Sequence, residues 1–415
     1  MRKVVQGVLV CAAVIPIAPA VPAGLTGGKV IASAAATRTA RPPVVVALRG
    51  NIYVVGAGSA RRLTASGKNS GPAVSPDGRL IAFLSTAHSR AGAFGRPAPD
   101  VYLVPVAGRD DGSSAYKLTP GAAPALRERL SWSPDGRYLA YYKTVEKGKS
   151  IAVSVVVCAV QGSCGEALQV GVGYGNSIAW APDGRRFAVT VPDKRLDVVR
   201  VAVVTVGGAD LAHSASTAAI VRFPGGALGA RQTGNQTFPA SMGGGNLSWI
   251  AGEHLLFDTI RSGEGGTMTG VWQAPASGGV AHQIIGSATD VRAGNDTDGP
   301  LAGAYGFALS PDRARLAVAT RKGFYLVRVD GTRGQLLAFS ASQRRGLGGL
   351  AWLGDDSGIV YVMVRQGSSP GSCGSTLFVR ELGSAGPSAL LDAKDSILSV
   401  ANNAGFEGQC GGGGS

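Results

Sequence analysis

Apolar and polar positions alternate along most of this chain in short runs of four to eight residues, the period of a half-buried β-strand. Six stretches share one spelling. They are PAVSPDGRLIAFLS from Pro72, RLSWSPDGRYLAYY from Arg129, SIAWAPDGRRFAVT from Ser177, NLSWIAGEHLLFDT from Asn246, GFALSPDRARLAVAT from Gly306 and GLAWLGDDSGIVYV from Gly349. Each reads as a small residue, a large apolar one, a turn and an alternating strand. Proline presets φ for the second position of a type I turn, aspartate bonds back to its own backbone, and glycine relaxes the exit, so SPDG is a hairpin device. Further β-rich runs follow each motif, such as DVYLVPVAG with AYKLTP and KGFYLVRVDG with GQLLAFS. Each unit therefore spells about four strands, and helical spacing with caps is nearly absent.

A repeat of four-stranded units predicts an all-β fold, a β-propeller. The chain ends complete the count. VVVALRG, NIYVVGAG and ARRLTAS make three strands before the first motif, and ILSVANNAG from Ile397 supplies the strand they lack, with Ser399, Val400 and Ala401 in register with Ser131, Trp132 and Ser133. One C-terminal strand beside three N-terminal ones closes seven blades and hides both sheet edges. The long unit between Trp180 and Trp249 leaves six or eight blades open, and its stretch PGGALGARQTGNQTFPASMGGG reads as a loop. Four of the five tryptophans, Trp132, Trp180, Trp249 and Trp352, occupy one repeat position, with Val74 and Leu309 in the other two copies. Such register points to core packing between neighbouring sheets.

The SPDG-led repeat, with its following strand xIYVV or DVYLVPVAG and closing RRLT or YKLT, resembles the WD-like repeat of TolB-type β-propellers, from about Val44 to Ala404. The resemblance implies a propeller in an exported protein that binds protein partners. The same repeat builds the propellers of peptidases and lyases, so it specifies fold far better than function. TolB carries an α/β domain before its propeller, and this sequence has no room for one ahead of the first strand.

The chain opens MRKVVQGVLVCAAVIPIAPAVPA, with Arg2 and Lys3 before an apolar run and small residues at its end, which reads as a signal peptide over residues 1–23. Cleavage after Ala23 or as late as residue 36 both fit. Residues 24–42 then read as a disordered linker, 43–410 as one propeller domain and 411–415, GGGGS, as a flexible tail. No later segment has the apolar length of a membrane span, so the expected setting is secreted, periplasmic or wall-associated. In that compartment Cys158, Cys164, Cys373 and Cys410 predict two disulfides. Cys158 and Cys164 flank the turn AVQGS, and Cys373 with Cys410 follows by elimination.

A net charge of +14 raises nucleic acid as a partner, but arginine is scattered and not grouped with aromatics, and export argues against it. Anionic wall polymers and lipid head groups are the alternatives. Catalytic signals are poor. Gly367-Ser368-Ser369-Pro370-Gly371 has the letters of a nucleophile elbow, but a strand follows and not a helix. His88, His213, His254 and His282 are dispersed, and GRDDGSS from Gly108 and GNDTDGP from Gly294 lack full calcium-loop spacing. GVGYGN from Gly171 breaks off a dinucleotide motif. No catalytic, cofactor or metal residue is assigned. The expected function is a binding or scaffold module for a protein, peptide or envelope polymer, with a propeller lyase or hydrolase acting on an anionic sugar or small molecule as the alternative.

Overall fold

In the computed structural model the described residues are 28–30, 44–56, 59–89, 97–119, 126–147, 150–170, 177–191, 198–207, 211, 215–222, 237–239, 247–261, 268–285, 306–320, 323–332, 334–338, 347–366, 373–394 and 398–401. They form seven sheets of at least four strands, each with four antiparallel blade strands. Blade 1 is Ser399–Val400, Val44–Leu48, Asn51–Gly56 and Ser59–Arg62, so the C-terminal strand does pair with the N-terminal three. Val46 faces Val400, and the Ala401 N–H donates to the Val45 carbonyl at 2.8 Å. Seven blades, and not six or eight, close the ring.

Blade 2 runs from Asn69–Val74 through Leu80–Ser85 and Asp100–Pro105 to Tyr116–Lys117. Blade 3 comprises Leu126–Trp132, Tyr138–Lys147, Ser150–Ala159 and Cys164–Val170. Blade 4 comprises Ala179–Trp180, Arg186–Val191, Val198–Thr205 and Ala215–Arg222. Blade 5 is Leu247–Ile250, His254–Arg261, Met268–Pro275 and His282–Ile285. Blade 6 is Gly306–Leu309, Arg315–Thr320, Gly323–Arg328 and Gln335–Ala338, and blade 7 is Leu347–Trp352, Gly358–Gln366, Cys373–Glu381 and Ser388–Ala393.

Two outer edges carry an extra strand. Gly279–Val280 pairs in parallel with Ala215–Arg222, and Gly28–Val30, inside the stretch read as a linker, pairs with Ser388–Ala393. Each addition occupies ladder groups that an open edge would expose. Within the long glycine-rich stretch the described residues, Thr237–Pro239, pair with the second strand of blade 5. The described residues contain no α-helix, and none of their elements is a helix long and apolar enough to cross a membrane.

The core is divided into seven apolar clusters, each shared by two neighbouring blades, with the last joining blade 7 to blade 1. Side chains alternate across a strand, so one strand feeds two clusters. Val44, Val46 and Leu48 pack toward blade 7, while Val45 and Ala47 pack toward blade 2. That division explains why VVVAL is apolar without interruption and buried throughout.

Candidate functional site

The first strands of neighbouring blades contact one another, as do the turns that follow them, which places these turns on one face of the ring around the central channel that a propeller encloses. Their geometry follows from the spelling. Ser75, Ser133 and Ser310 are buried, and their hydroxyls donate to Asp77, Asp135 and Asp312 at 2.5, 2.6 and 2.5 Å. The same hydroxyls accept the N–H of Leu80, Tyr138 and Arg315, each at 2.9 Å. The aspartates also accept main-chain N–H groups two residues on, at 3.1 Å from Arg79, 3.1 Å from Arg137 and 3.0 Å from Ala314. The Ser75 hydroxyl holds the Asp77 carboxyl below the usual carboxylate range.

The fourth turn residue is left-handed in all six copies, and in blades 3–7 it lies against the preceding blade. Gly136, at φ 70°, would place a Cβ 3.8 Å from Pro76, and Gly184, at φ 67°, would place one 2.8 Å from the Asp135 carboxyl carbon. Blades 5, 6 and 7 carry Glu253, Arg313 and Asp356 there, at φ 58°, 59° and 59°. Each supplies a bond where glycine supplies only room. Glu253 takes the guanidinium of Arg186 in two bonds of 2.8 and 2.9 Å. Asp356 accepts the Asp312 N–H at 3.2 Å. Arg313 reaches further, its Nη1 donating to the main-chain carbonyls of Trp249 at 2.8 Å and Trp180 at 3.1 Å.

In blades 3, 4 and 6 the first residue of the second strand covers the tryptophan of the next blade. Tyr138 stacks on Trp180 with centroids 6.3 Å apart. Arg186 lies 5.4 Å over the Trp249 ring and Arg315 lies 5.1 Å over that of Trp352. These arginines also bridge acids, Arg186 to Asp183 at 2.7 Å as well as Glu253, and Arg315 to Asp312 at 3.4 Å and Asp356 at 3.9 Å. Its hydrogen bonds to Glu253 and Asp183 hold the Arg186 guanidinium above its usual range. Arg313 has no such partner: it forms no ion pair among the described residues, and burial pulls it below the usual guanidinium range against the field of Asp183.

The four tryptophans all lie at interfaces between blades. Trp132, Trp180 and Trp249 belong to the clusters shared with the preceding blade, and Trp352 packs against the one between blades 6 and 7. Trp132, Trp180 and Trp352 donate their indole N–H to the carbonyls of Ala73, Ser131 and Ala308 on the preceding blade, at 3.0, 3.2 and 2.9 Å. Trp249 Nε1 has no acceptor. Cys158 and Cys164 face each other across the outer hairpin of blade 3 and are bonded, with Cα atoms 4.0 Å apart. Cys373 is disulfide-bonded too, and Cys410 lies outside the described residues.

The remaining candidates that fall among the described residues stand apart from one another. His88 is exposed beyond the second strand of blade 2, while His254 and His282 belong to blade 5. His213, Ser369, GVGYGN and GNDTDGP lie outside the described residues. In GRDDGSS the Asp111 carboxylate accepts the Ser113 N–H at 2.8 Å and faces Arg109 at 3.7 Å, a self-contained turn. No group of three or more His, Cys, Asp or Glu side chains that could hold a metal ion occurs among the described residues.

The fold is that of a seven-bladed β-propeller. No protein-family model and no curated protein matches the sequence. Solved structures similar to this propeller include prolyl oligopeptidase B from Galerina marginata, with TM-score 0.50, 11% identity and coverage of 85% of this chain and 48% of that one. A puromycin-hydrolyzing peptidase of Mycobacterium tuberculosis follows at TM-score 0.49 and 14% identity, over 83% of this chain and 50% of that one. TolB from Acinetobacter baumannii is similar at TM-score 0.40 and 16% identity, over 70% and 62%. The chain thus spans between 48% and 62% of the length of these three proteins. At such identities the likeness is one of fold alone.

Sequence reasoning read the turns as hairpin devices and passed over what distinguishes the copies. The signal was present: aligned on the proline, SPDG, SPDG and APDG stand against SPDR and the degenerate IAGE and LGDD, so Arg313, Glu253 and Asp356 are the departures at one conformationally special position.

Proposed function

We propose that this chain is an exported binding or scaffold propeller whose turn face holds a protein, peptide or cell-envelope polymer. One observation carries the reading. Arg79, Arg137 and Arg185 follow the glycine in the turns of blades 2, 3 and 4 and are all exposed. Their main chains are fixed by Asp77, Asp135 and Asp183, at 3.1, 3.1 and 2.8 Å. Adjoining blades therefore present one cationic side chain apiece from rigid, equivalent positions, an arrangement suited to a partner with several acidic groups. The signal-like N-terminus supports an extracytoplasmic setting.

Affinity capture tests this reading. The purified protein, with disulfides intact, is exposed to secreted and cell-wall fractions at low and moderate salt, and bound species are identified by mass. A defined partner that survives the salt step and is lost on substituting Arg79, Arg137 and Arg185 together by Gln supports it. Capture that vanishes with salt, which screens exposed charges beyond roughly 8–10 Å, would assign the association to net charge alone and sink the proposal.

A further inference from the structure

We propose that the channel rim at blade 6 is an oxyanion site, in which the guanidinium of Arg313 takes a carboxylate or phosphate group of the ligand. The inference rests on the binding reading above and names the chemistry of one contact.

Four observations converge on Arg313. Its backbone holds the left-handed conformation at φ 59°, where the turns of blades 2, 3 and 4 have glycine. A bulky residue is disfavoured there, and such strain persists at places where a side chain is needed. Next, one nitrogen of its guanidinium donates to carbonyls on the first strands of two other blades, Trp180 of blade 4 and Trp249 of blade 5. A group that touches both strand ends sits at the channel rim, and the two bonds fix its orientation. Third, the other arginines that bond from one blade to the next here, Arg186 and Arg315, each meet two acids, whereas Arg313 meets none among the described residues. Finally, Nε and Nη2 make no bond among the described residues, although the group is half-buried.

A partly buried cation held by neutral carbonyls alone lacks the countercharge that such a group ordinarily requires. The open Nε and Nη2 are the edge of the fork that matches two oxygens of a carboxylate or phosphate in parallel bonds. Two of its own donations are already spent on Nη1, so the incoming group meets a preset donor pair. Asp183 is the acid whose field reaches this guanidinium, but its carboxylate is engaged by Arg186 and by the N–H groups of Arg185 and Arg186. It therefore does not fill the place of the missing countercharge.

The full chain is titrated with inorganic phosphate and, separately, with succinate, at constant ionic strength set by chloride, with the thermal midpoint as readout. Saturable stabilisation by at least one anion is expected in the parent. In Arg313→Gly, which restores the residue of the sister turns and suits the backbone, binding should weaken roughly tenfold or more. Arg328→Gln, which removes an exposed charge of blade 6, should leave it unchanged. Phosphate alone would point to a phosphate-bearing ligand and succinate alone to a carboxylate-bearing one. Arg313→Asn, which tolerates the left-handed conformation, replaces the glycine variant if that one does not fold. The site is refuted by a parent that saturates with neither anion, or by a variant that binds as the parent does. A parent that captures the partner but saturates with neither anion would retain the binding reading and overturn this one.

Discussion

The indole N–H of Trp132 donates to the carbonyl of Ala73, 3.0 Å away on the preceding blade. The equivalent atom of Trp249, in the same repeat position, has no acceptor. Trp132→Phe should therefore lower stability by about 1 kcal/mol more than Trp249→Phe, the net value of one such bond. Urea denaturation midpoints of both variants check it, and equal losses would show that packing alone decides.

Arg186 joins blade 4 to blade 5 through Glu253 and the face of Trp249. Since both charged partners are partly exposed, at 33% and 59% of their side-chain surface, a double-mutant cycle of Arg186→Gln and Glu253→Gln should return a coupling of about 0.5–1 kcal/mol. Repeating the cycle at 1 M salt should shrink it. A coupling that ignores salt would place the stabilisation in the two short hydrogen bonds between the side chains and not in their net charges.

Gly184→Ala should cost clearly more than Gly78→Ala. Both residues are left-handed, at φ 67° and 70°, but a Cβ at Gly184 meets the Asp135 carboxyl at 2.8 Å while one at Gly78 meets nothing within 4 Å. Conformation alone accounts for about 1 kcal/mol in each. Unfolding free energies that match would mean the turns of blades 3 and 4 do not nest in solution.

Acid should loosen the ring through its turns. The carboxyl of Asp77 is lowered chiefly by the Ser75 hydroxyl, and those of Asp135 and Asp312 end below their ordinary value because Ser133, Ser310 and neighbouring N–H groups outweigh burial. A depressed carboxyl contributes stability that is present above the unfolded value of 3.8 and lost as pH falls through the folded one. Burial raises Asp356, which contributes in the opposite sense. The thermal midpoint should thus fall between about pH 5 and pH 2, and less steeply in a variant with Ser75, Ser133 and Ser310 all changed to Ala. An unchanged slope would remove the serine relay from the account.

Replacing Cys158 and Cys164 by Ser should cost about 2 kcal/mol by the loop-closure estimate, because the bond closes a short loop of separation six. Guanidinium midpoints with and without the pair measure it. The hairpin register, with Cys158 opposite Cys164, survives through its main-chain bonds.

The candidate rim was half legible. SPDG announced the turn and its aspartate, and the arginine after each glycine could be read as exposed, as Arg79, Arg137 and Arg185 are. The roles of Arg186 and Glu253 could not be read, because they lie 67 residues apart and meet only when blades 4 and 5 stand side by side. Arg313 and Trp180 are separated by 133 residues.

The sequence by itself determined the local grammar: alternating strands, the proline–aspartate turns, the tryptophan register and the closure of Val44–Leu48 on Ser399–Val400. These follow from dihedral preference and from a period of two, which act over a few residues. Only the tertiary structure decided which face of each strand feeds which of the seven interblade clusters, and which rim charges find partners. Ring closure brings positions one blade apart within bonding distance, and ion pairing is a matter of such distances. The guanidinium of Arg186 is bridged by two acids while that of Arg313 rests on two carbonyls, a difference that neighbouring residues in the chain do not encode.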